Sequence, residues 1–317
     1  MNRRKFLYKL AMGASLMSPV AVLVSKADAN SPDYNVKVVK TEIKFGLKKT
    51  LHFLHVSDSH KVPWDERSPS QRKLAKIRRK LFSNSDKYWQ LVLEYSKNKN
   101  LPILHTGDVF DFYNPASLDF LKTQVMPNVF AYAVGNHELS KKYGTIKDGL
   151  PTKEMKKTVA DSVGYDIEFS SRIVDGLNII AMDNGYYQFS EKQLALLKTE
   201  LKRGLPILLL CHIPIYDRDF AEKDLAYKRS KSKKIKLAST VGAPVETLQN
   251  VGGFLKQART PTPITAEVVD ILQNNPLIKG ILCGHVHHTL SSVMPNGAIQ
   301  ACIGGGYSGW AQEITIS

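Results

Sequence analysis

Five short segments of this chain end an apolar run with Asp, Asn or His, and they constrain the fold more than any other feature. In the first, Asp58 and His60 follow the apolar run that begins at Leu51 and ends at Val56. The others follow in order along the chain: Gly107–Asp111, Gly135–Glu138, Cys211–His212 and Gly284–His287. Since polar groups at the carboxyl ends of strands meet at one sheet edge in layered α/β folds, the pattern predicts such a fold with a shared site.

The donors in these segments favour a metal site. Oxygen donors mixed with imidazole, with no cysteine placed clearly as a ligand, suit Mn, Fe or Zn better than a structural zinc knuckle. About eight donors exceed what one ion needs. Two ions about 3.5–4 Å apart that share a carboxylate would use them all, as in two-metal phosphoester hydrolysis.

The order of these segments resembles the calcineurin-like metallophosphoesterase family. The signature of that family is, in order, D-x-H, G-D-x-x-D, G-N-H-[DE], a lone His and G-H-x-H. The matching segments of this chain are, in the same order, Asp58-Ser59-His60, Gly107 to Asp111, Gly135 to Glu138, His212 and Gly284 to His287. The resemblance covers residues 58–287. It implies an α/β fold, namely a four-layer α/β/β/α sandwich with mixed sheets, and a metal-dependent phosphoric ester hydrolase. Asp111 stands where the purple acid phosphatase branch has an iron-binding Tyr, which argues against that branch.

The resemblance also implies roles for individual residues. One metal ion would be held by Asp58, His60 and His287, and the second by Asn136, His212 and His285, while Asp108 would bridge them. His137 would be catalytic, protonating or stabilising the leaving oxygen, and Asp111 and Glu138 would orient histidine ligands. The implied cofactors are two divalent or mixed-valence ions (Mn, Fe or Zn), and a hydroxide bridging them would attack phosphorus.

Composition and cysteine count set broader bounds. The 317 residues show no composition break, so we expect one catalytic domain over residues 30–317. Cys211, Cys283 and Cys302 are too few for a disulfide framework; we expect buried free thiols, although a Cys211–Cys283 bridge stays open. The formal net charge of +15 favours anionic partners without choosing among phosphoesters, nucleic acid and acidic lipid.

Residues 1–29 read as a leader. A basic start with Arg3-Arg4-Lys5, an apolar stretch to Val24 and a small-x-small end at Ala27-Asp28-Ala29 predict a cleaved signal peptide. The paired arginines before Phe6-Leu7 resemble a twin-arginine export signal. We therefore expect a periplasmic or extracellular protein that starts near Asn30 and has no transmembrane segment; an uncut anchor is the alternative.

Hydrophobic patterns predict the remaining elements. We expect helices over 68–96, 153–163, 190–204 and 264–274, and strands over 101–106, 129–134, 205–211 and 277–283. We also expect an edge strand over 36–45 that pairs with 51–57. Hairpins should turn at Asp175-Gly176 and Asn296-Gly297. In the first helix Leu74, Ile77 and Leu81 recur at helical spacing, and basic residues fill the other faces as a solvated surface.

No strand pattern occurs over 217–262, which predicts an irregular excursion. It contains a basic run: Lys228, Arg229, Lys231, Lys233, Lys234 and Lys236. A lid or binding loop beside the site and a solvated loop are both compatible with this pattern.

Taken together, the sequence predicts an exported binuclear phosphoesterase acting on small phosphodiesters or nucleotide-type phosphoesters, with the basic run holding a second anionic group. The alternatives are a non-catalytic metal-holding protein that binds anionic polymers, or a nuclease of the same family. Nucleic acid is the less favoured partner.

Overall fold

The computed structural model describes residues 36–232, 234, 237–249 and 252–317. Within these residues two mixed β-sheets pack face to face, and helices cover their outer faces. The predicted signal peptide, residues 1–29, lies outside the described residues.

The strands are β1 (Lys37–Ile43), β2 (Leu51–Val56), β3 (Ile103–His105), β4 (Val129–Tyr132), β5 (Phe169–Val174), β6 (Leu177–Met182), β7 (Ile207–Leu210), β8 (Ile278–Cys283), β9 (Leu290–Val293), β10 (Ile299–Cys302) and β11 (Trp310–Ile316). The helices are α1 (Arg72–Leu81), α2 (Ser85–Lys99), α3 (Pro115–Phe120), α4 (Lys153–Val163), α5 (Glu191–Leu201), α6 (Arg218–Lys231), α7 (Gly253–Arg259) and α8 (Pro263–Asn274).

The first sheet has the strand order β1-β11-β2-β3-β4, and the second has the order β5-β6-β7-β8-β10-β9. The neighbours β2, β3 and β4 run parallel, as do β6, β7, β8 and β10. Antiparallel pairs at β11–β2, β5–β6 and β10–β9 make both sheets mixed. The carboxyl ends of the parallel strands in each sheet therefore lie at a common edge.

Three hydrophobic clusters define the layers. Phe53, Leu104, Leu208 and Leu282 pack together between the two sheets. On the outer face of the second sheet, residues of α5 and α8 pack against strand residues. Residues of α2 and α4 cover the first sheet in the same way. This is the predicted α/β/β/α sandwich, and its two-sheet core holds the strand ends in place.

The predicted pairing of residues 36–45 with 51–57 is wrong. β1 is an edge strand, but it pairs in parallel with β11, and β11 then pairs antiparallel with β2. The carboxyl-terminal strand lies between the two, where Ile314 and Ile316 join the core between the sheets. No strand was predicted over residues 310–316, so this neighbour of β1 and β2 was missed.

The helix predicted over 68–96 is two helices, α1 and α2, which are separated at residues 82–84. The chain turns at Phe82, whose buried ring stacks on the imidazole of His60 at 4.5 Å between ring centroids. On α1, Ile77 is 52% exposed and Leu81 is 61% exposed. Part of the predicted apolar face of this helix is thus open to solvent.

The segment 217–262 is more regular than predicted. Asp217 caps α6 by accepting a hydrogen bond from the Phe220 backbone N–H, and Phe220 and Asp224 are fully buried. The cap and the two buried side chains fix the helix against the domain. Within the basic run, Lys233 and Lys236 lie outside the described residues.

The other predicted elements are confirmed, including the helix over 153–163, the hairpin at Asp175-Gly176 and the capping box of Ser190 and Gln193. The three cysteines are buried free thiols. None of the helices in the described part of the chain has the length and apolar character needed to cross a membrane.

Candidate metal centre

Five strand ends deliver the predicted site residues to one edge of the sandwich. β2, β3 and β4 lead into Asp58, Asp108 and Asn136, and β7 and β8 lead into His212 and His285. Backbone hydrogen bonds join these turns: the Asp58 N–H donates to the Gly107 carbonyl and the Gly284 N–H to the His212 carbonyl, both at 2.9 Å. The His285 N–H donates to Asp58 Oδ2 at 2.9 Å, which connects the two sheets at the site.

The backbone at this edge is strained. Among the described non-glycine residues, eight have a positive φ, and five of these are predicted metal ligands: Asp58, His60, Asp108, His285 and His287. This left-handed conformation is unfavourable for residues with a Cβ and persists where the surrounding structure enforces it, most often at functional sites. The strain is concentrated where the side chains must converge.

The first predicted ligand set is a compact cluster. The Nε2 atoms of His60 and His287 face each other at 3.1 Å, and Asp58 Oδ1 lies 3.0 Å from His287 Nε2 and 3.8 Å from His60 Nε2. One donor atom from each of Asp58, His60, Asp108 and His287 lies within 4.8 Å of the others.

The second predicted set is equally close. His285 Nδ1 lies 3.1 Å from Asn136 Oδ1 and 3.3 Å from His212 Nε2. Donor atoms of Asp108, His212 and His285 also lie within 4.8 Å of one another.

Asp108 belongs to both clusters. Its Oδ2 is 3.0 Å from His212 Nε2 and 3.8 Å from His60 Nε2. Its Oδ1 accepts the backbone N–H of His137 at 2.9 Å. One carboxylate oxygen is thus fixed by the backbone, and the other lies between the two histidine groups, as a bridging ligand requires.

Each of the four histidines that are predicted metal ligands has a polar neighbour on the ring nitrogen that points away from the clusters. His60 Nδ1 donates to Asp111 Oδ1 at 3.0 Å and His212 Nδ1 donates to the Thr106 carbonyl at 2.7 Å, because those oxygens can only accept. His285 Nε2 contacts the Tyr187 hydroxyl at 3.0 Å, and His287 Nδ1 lies 3.5 Å from the Tyr307 hydroxyl. Such partners orient imidazoles and leave the other nitrogen free to bind metal.

His137 lies at the rim of the same site. Its Nδ1 donates to the Asp111 carbonyl at 2.5 Å, so its Nε2 is left toward the site, 4.0 Å from Asp108 Oδ2. Its side chain is 10% exposed and that of His287 is 35% exposed. This edge of the clusters is therefore reachable from solvent.

Asp111 has the predicted orienting position, and Glu138 does not. Glu138 accepts the backbone N–H groups of Gly135, Asp108 and Val109 at 2.9, 3.0 and 2.6 Å. This carboxylate therefore holds the backbone of the Asp108 turn, and among the described residues no histidine ring is hydrogen-bonded to it. A carboxylate that accepts several N–H groups is well suited to fixing a turn.

Two residues near the site were missed in the sequence. Arg78 on α1 binds Asp111 through two hydrogen bonds, Nε to Oδ2 at 2.5 Å and Nη2 to Oδ1 at 2.6 Å. Arg259 Nη2 donates to the Tyr187 hydroxyl at 2.7 Å, and that hydroxyl contacts His285. Arg78 stood in a basic run and Arg259 in the unassigned segment, and neither had a motif around it.

The electrostatics of the clusters favour a cation. Burial alone would lower the pKa of His212, but the adjacent Asp108 carboxylate outweighs it and raises that pKa to about 10. Burial raises the pKa of Asp58, yet the neighbouring imidazole of His287 brings it below the ordinary value. Burial and then His212 lower the pKa of His285 well below the usual range. The ionised Asp58 and Asp108 carboxylates thus stabilise a proton on His212, and a metal cation bound between these side chains would take the place of that positive charge.

Two further observations show that the residues fit metal ions. Asp58 Oδ1 is buried and accepts no hydrogen bond of good geometry, although His287 Nε2 lies 3.0 Å away; a cation bound by both atoms would satisfy this oxygen. A Cβ built on Gly284 would clash with Asp58 Oδ2 and the Ser57 hydroxyl, so only glycine allows this close approach of the sheets. The site thus has the donors for metal and a buried oxygen that a metal would satisfy.

A calcineurin-like phosphoesterase family model matches residues 51–289. The chain therefore belongs to the calcineurin-like phosphoesterase family, a dimetal-dependent family of phosphoester hydrolases. No curated protein matches the chain in sequence.

Similar solved structures include a dimetal phosphatase from Danio rerio, with 12% identity, coverage of 81% of this chain and 88% of that chain, and a TM-score of 0.43. Phosphopantetheinyl hydrolase from Mycobacterium tuberculosis has 11% identity, covers 84% and 91%, and has a TM-score of 0.39. Haemophilus influenzae NAD nucleotidase has 17% identity, covers 82% of this chain, and has a TM-score of 0.37; this chain spans 46% of that chain.

Proposed function

We propose that this chain is a binuclear metal-dependent phosphoesterase that hydrolyses phosphodiesters or nucleotide-type phosphoesters. The observation that carries the proposal is the position of Asp108 Oδ2, between His60 of one cluster and His212 of the other. Asp58, His60 and His287 would hold one ion, Asn136, His212 and His285 the second, and Asp108 would bridge them. Metal ions held by these residues would supply a water of lowered pKa and would neutralise phosphate oxygens.

The protein's own groups supply orientation and a proton. Asp111, fixed by Arg78, holds the His60 ring in place, and the Thr106 carbonyl does the same for His212. His137, with its Nδ1 held by the Asp111 carbonyl, turns Nε2 toward the site. From there it can donate a proton to the leaving alcohol oxygen.

Hydrolysis of bis(p-nitrophenyl) phosphate tests the proposed activity. We expect the purified chain, loaded with Mn²⁺, to release p-nitrophenol, and we expect chelation of the metal to abolish the release. The rival reading, a metal-holding protein without activity, predicts no turnover with any loaded ion. No turnover with Mn²⁺, Fe²⁺ or Zn²⁺ would therefore favour that rival.

We also propose export through the twin-arginine-like leader of residues 1–29. The full chain, expressed in a bacterium with twin-arginine export, is expected in the periplasm with its first residue near Asn30. An exported protein that retains Met1 would show that the leader is kept as an anchor.

A further inference from the structure

A cavity of about 760 Å³ opens between α1 and the loop that follows Glu138. This volume lies within the range of small-molecule sites, roughly 300–1,000 Å³. Its apolar lining includes Leu74, Ile77, Tyr113 and Tyr143. Ile77 is 52% exposed and Tyr143 is 49% exposed, so two large apolar side chains face open space here. Exposed apolar surface that is gathered in a concave site points to a ligand with an apolar body.

Two residues that line the cavity, Ile77 and Tyr143, are the chain neighbours of residues that contact the metal centre. On one wall, Tyr143 is followed by Gly144. The Gly144 carbonyl accepts a hydrogen bond from Asn136 Nδ2 at 2.7 Å, and the Gly144 backbone lies directly against the His137 ring. On the other wall, Ile77 is followed by Arg78, which binds Asp111. The Arg78 guanidinium lies 5.7 Å from the Tyr143 ring, so these two side chains stand between the cavity and Asp111. A leaving group that extends from His137 past Gly144 would reach Tyr143.

The Gln71 side chain, which lines the cavity, holds its two sides together. Gln71 Nε2 donates to the Tyr113 carbonyl at 3.1 Å and to the Lys141 carbonyl at 2.8 Å. It connects the amino-terminal end of α1 with both loops, so the cavity is preformed rather than dependent on closure.

The charge lining the cavity is uncompensated. Three exposed lysines line the cavity: Lys73, Lys141 and Lys142. None of the described residues that line it is Asp or Glu, and none of the three lysines forms an ion pair with a described residue. Lys228, at the start of the predicted anion-binding run, is instead neutralised by Asp224 at 2.8 Å. Positive charge without an ion-pair partner among the described residues therefore lies at this cavity, as it also does at Arg259 beside Tyr187.

We propose that this cavity is the leaving-group subsite, and that it takes an aromatic body that carries a second anionic group. The tyrosines supply flat surface for the aromatic ring, and the lysines attract the anion. The expected effect of this cavity on catalysis rests on the proposed function. Binding of the leaving group itself needs no metal and can be measured separately.

Adenosine 5'-monophosphate is the binding probe, titrated by calorimetry into metal-depleted protein. We expect saturable binding that weakens at least tenfold in the Lys73→Glu/Lys142→Glu double variant. The matched control is Lys76→Glu/Lys80→Glu, which makes the same charge change on exposed lysines of α1 that do not line the cavity. It should change the dissociation constant less than twofold. Equal weakening in both double variants, or no saturable binding to the unaltered chain, overturns the proposal.

Ribose 5-phosphate, which lacks the base, tests the aromatic part. It should bind at least tenfold more weakly than adenosine 5'-monophosphate, because base stacking on aromatic side chains is lost. Equal affinity would contradict an aromatic subsite.

Measurements of turnover then distinguish binding in the cavity from catalysis at the metal centre. Hydrolysis of the 3'-ester of adenosine 3',5'-bisphosphate breaks the bond between phosphorus and the 3'-oxygen and releases adenosine 5'-monophosphate. The cavity double variant should lower kcat/KM for this substrate at least tenfold and for p-nitrophenyl phosphate less than twofold. An equal loss on both substrates overturns the subsite. If the metal-loaded, unaltered chain hydrolyses neither of these monoesters nor bis(p-nitrophenyl) phosphate, the proposed function fails, and the binding titration still decides the cavity.

Discussion

The Asp108→Asn variant is expected to lose at least about a hundredfold in kcat on bis(p-nitrophenyl) phosphate. The substitution keeps the size of the side chain and removes the charge that lies between His60 and His212. Metal-held charge in such sites contributes several kcal/mol to transition-state stabilisation, and each ~1.4 kcal/mol is a factor of ten in rate. We also expect the metal content per chain to fall, measured by mass spectrometry of the dialysed protein.

Glu200→Gln is the matched control for this variant. Glu200 is a buried carboxylate on α5 that accepts hydrogen bonds from Asn178 and Arg203, away from the clusters. Its amide variant tests the general cost of neutralising a buried acid and should retain metal and turnover. An Asp108→Asn protein that keeps full metal content and kcat would show that Asp108 does not bridge two ions.

The His137→Ala variant is expected to keep its metal and to lose about 10²- to 10⁴-fold in turnover, the usual share of a general acid. Its Nε2 faces the site while its Nδ1 is held by the Asp111 carbonyl, so the ring is placed to donate a proton. The loss should be larger for an alkyl phosphoester than for a p-nitrophenyl ester, because a poor leaving group depends more on protonation.

His52→Ala provides the comparison, since His52 is exposed on β2 and lies outside the clusters. It should change neither metal content nor turnover. If His137→Ala were equally active, or slowed both kinds of ester to the same degree, the proton-donor role would be refuted.

The sequence predicted the strand ends of the site well, because each ligand block directly follows an apolar run that becomes β2, β3, β4, β7 or β8. The regular local signals also held, such as the turn at Asp175-Gly176 and the cap at Ser190. These features depend on residues close together in the chain, where sequence patterns carry the information.

Features that depend on distant segments were not predicted. β11 lies between β1 and β2 although more than 250 residues separate it from either strand. Arg78, in what was interpreted as a solvated face, holds Asp111, and Arg259 reaches His285 through Tyr187. The role of Glu138 was also misjudged, because its partners are backbone N–H groups, which leave no trace in residue identity.

Two ions should lie side by side among these ligands, and anomalous diffraction from crystals of the Mn²⁺-loaded protein tests this most directly. We predict two peaks about 3.5–4 Å apart. One should lie beside His60 and His287 and the other beside His212 and His285, with Asp108 between them. A single peak, or peaks away from these side chains, would contradict the account.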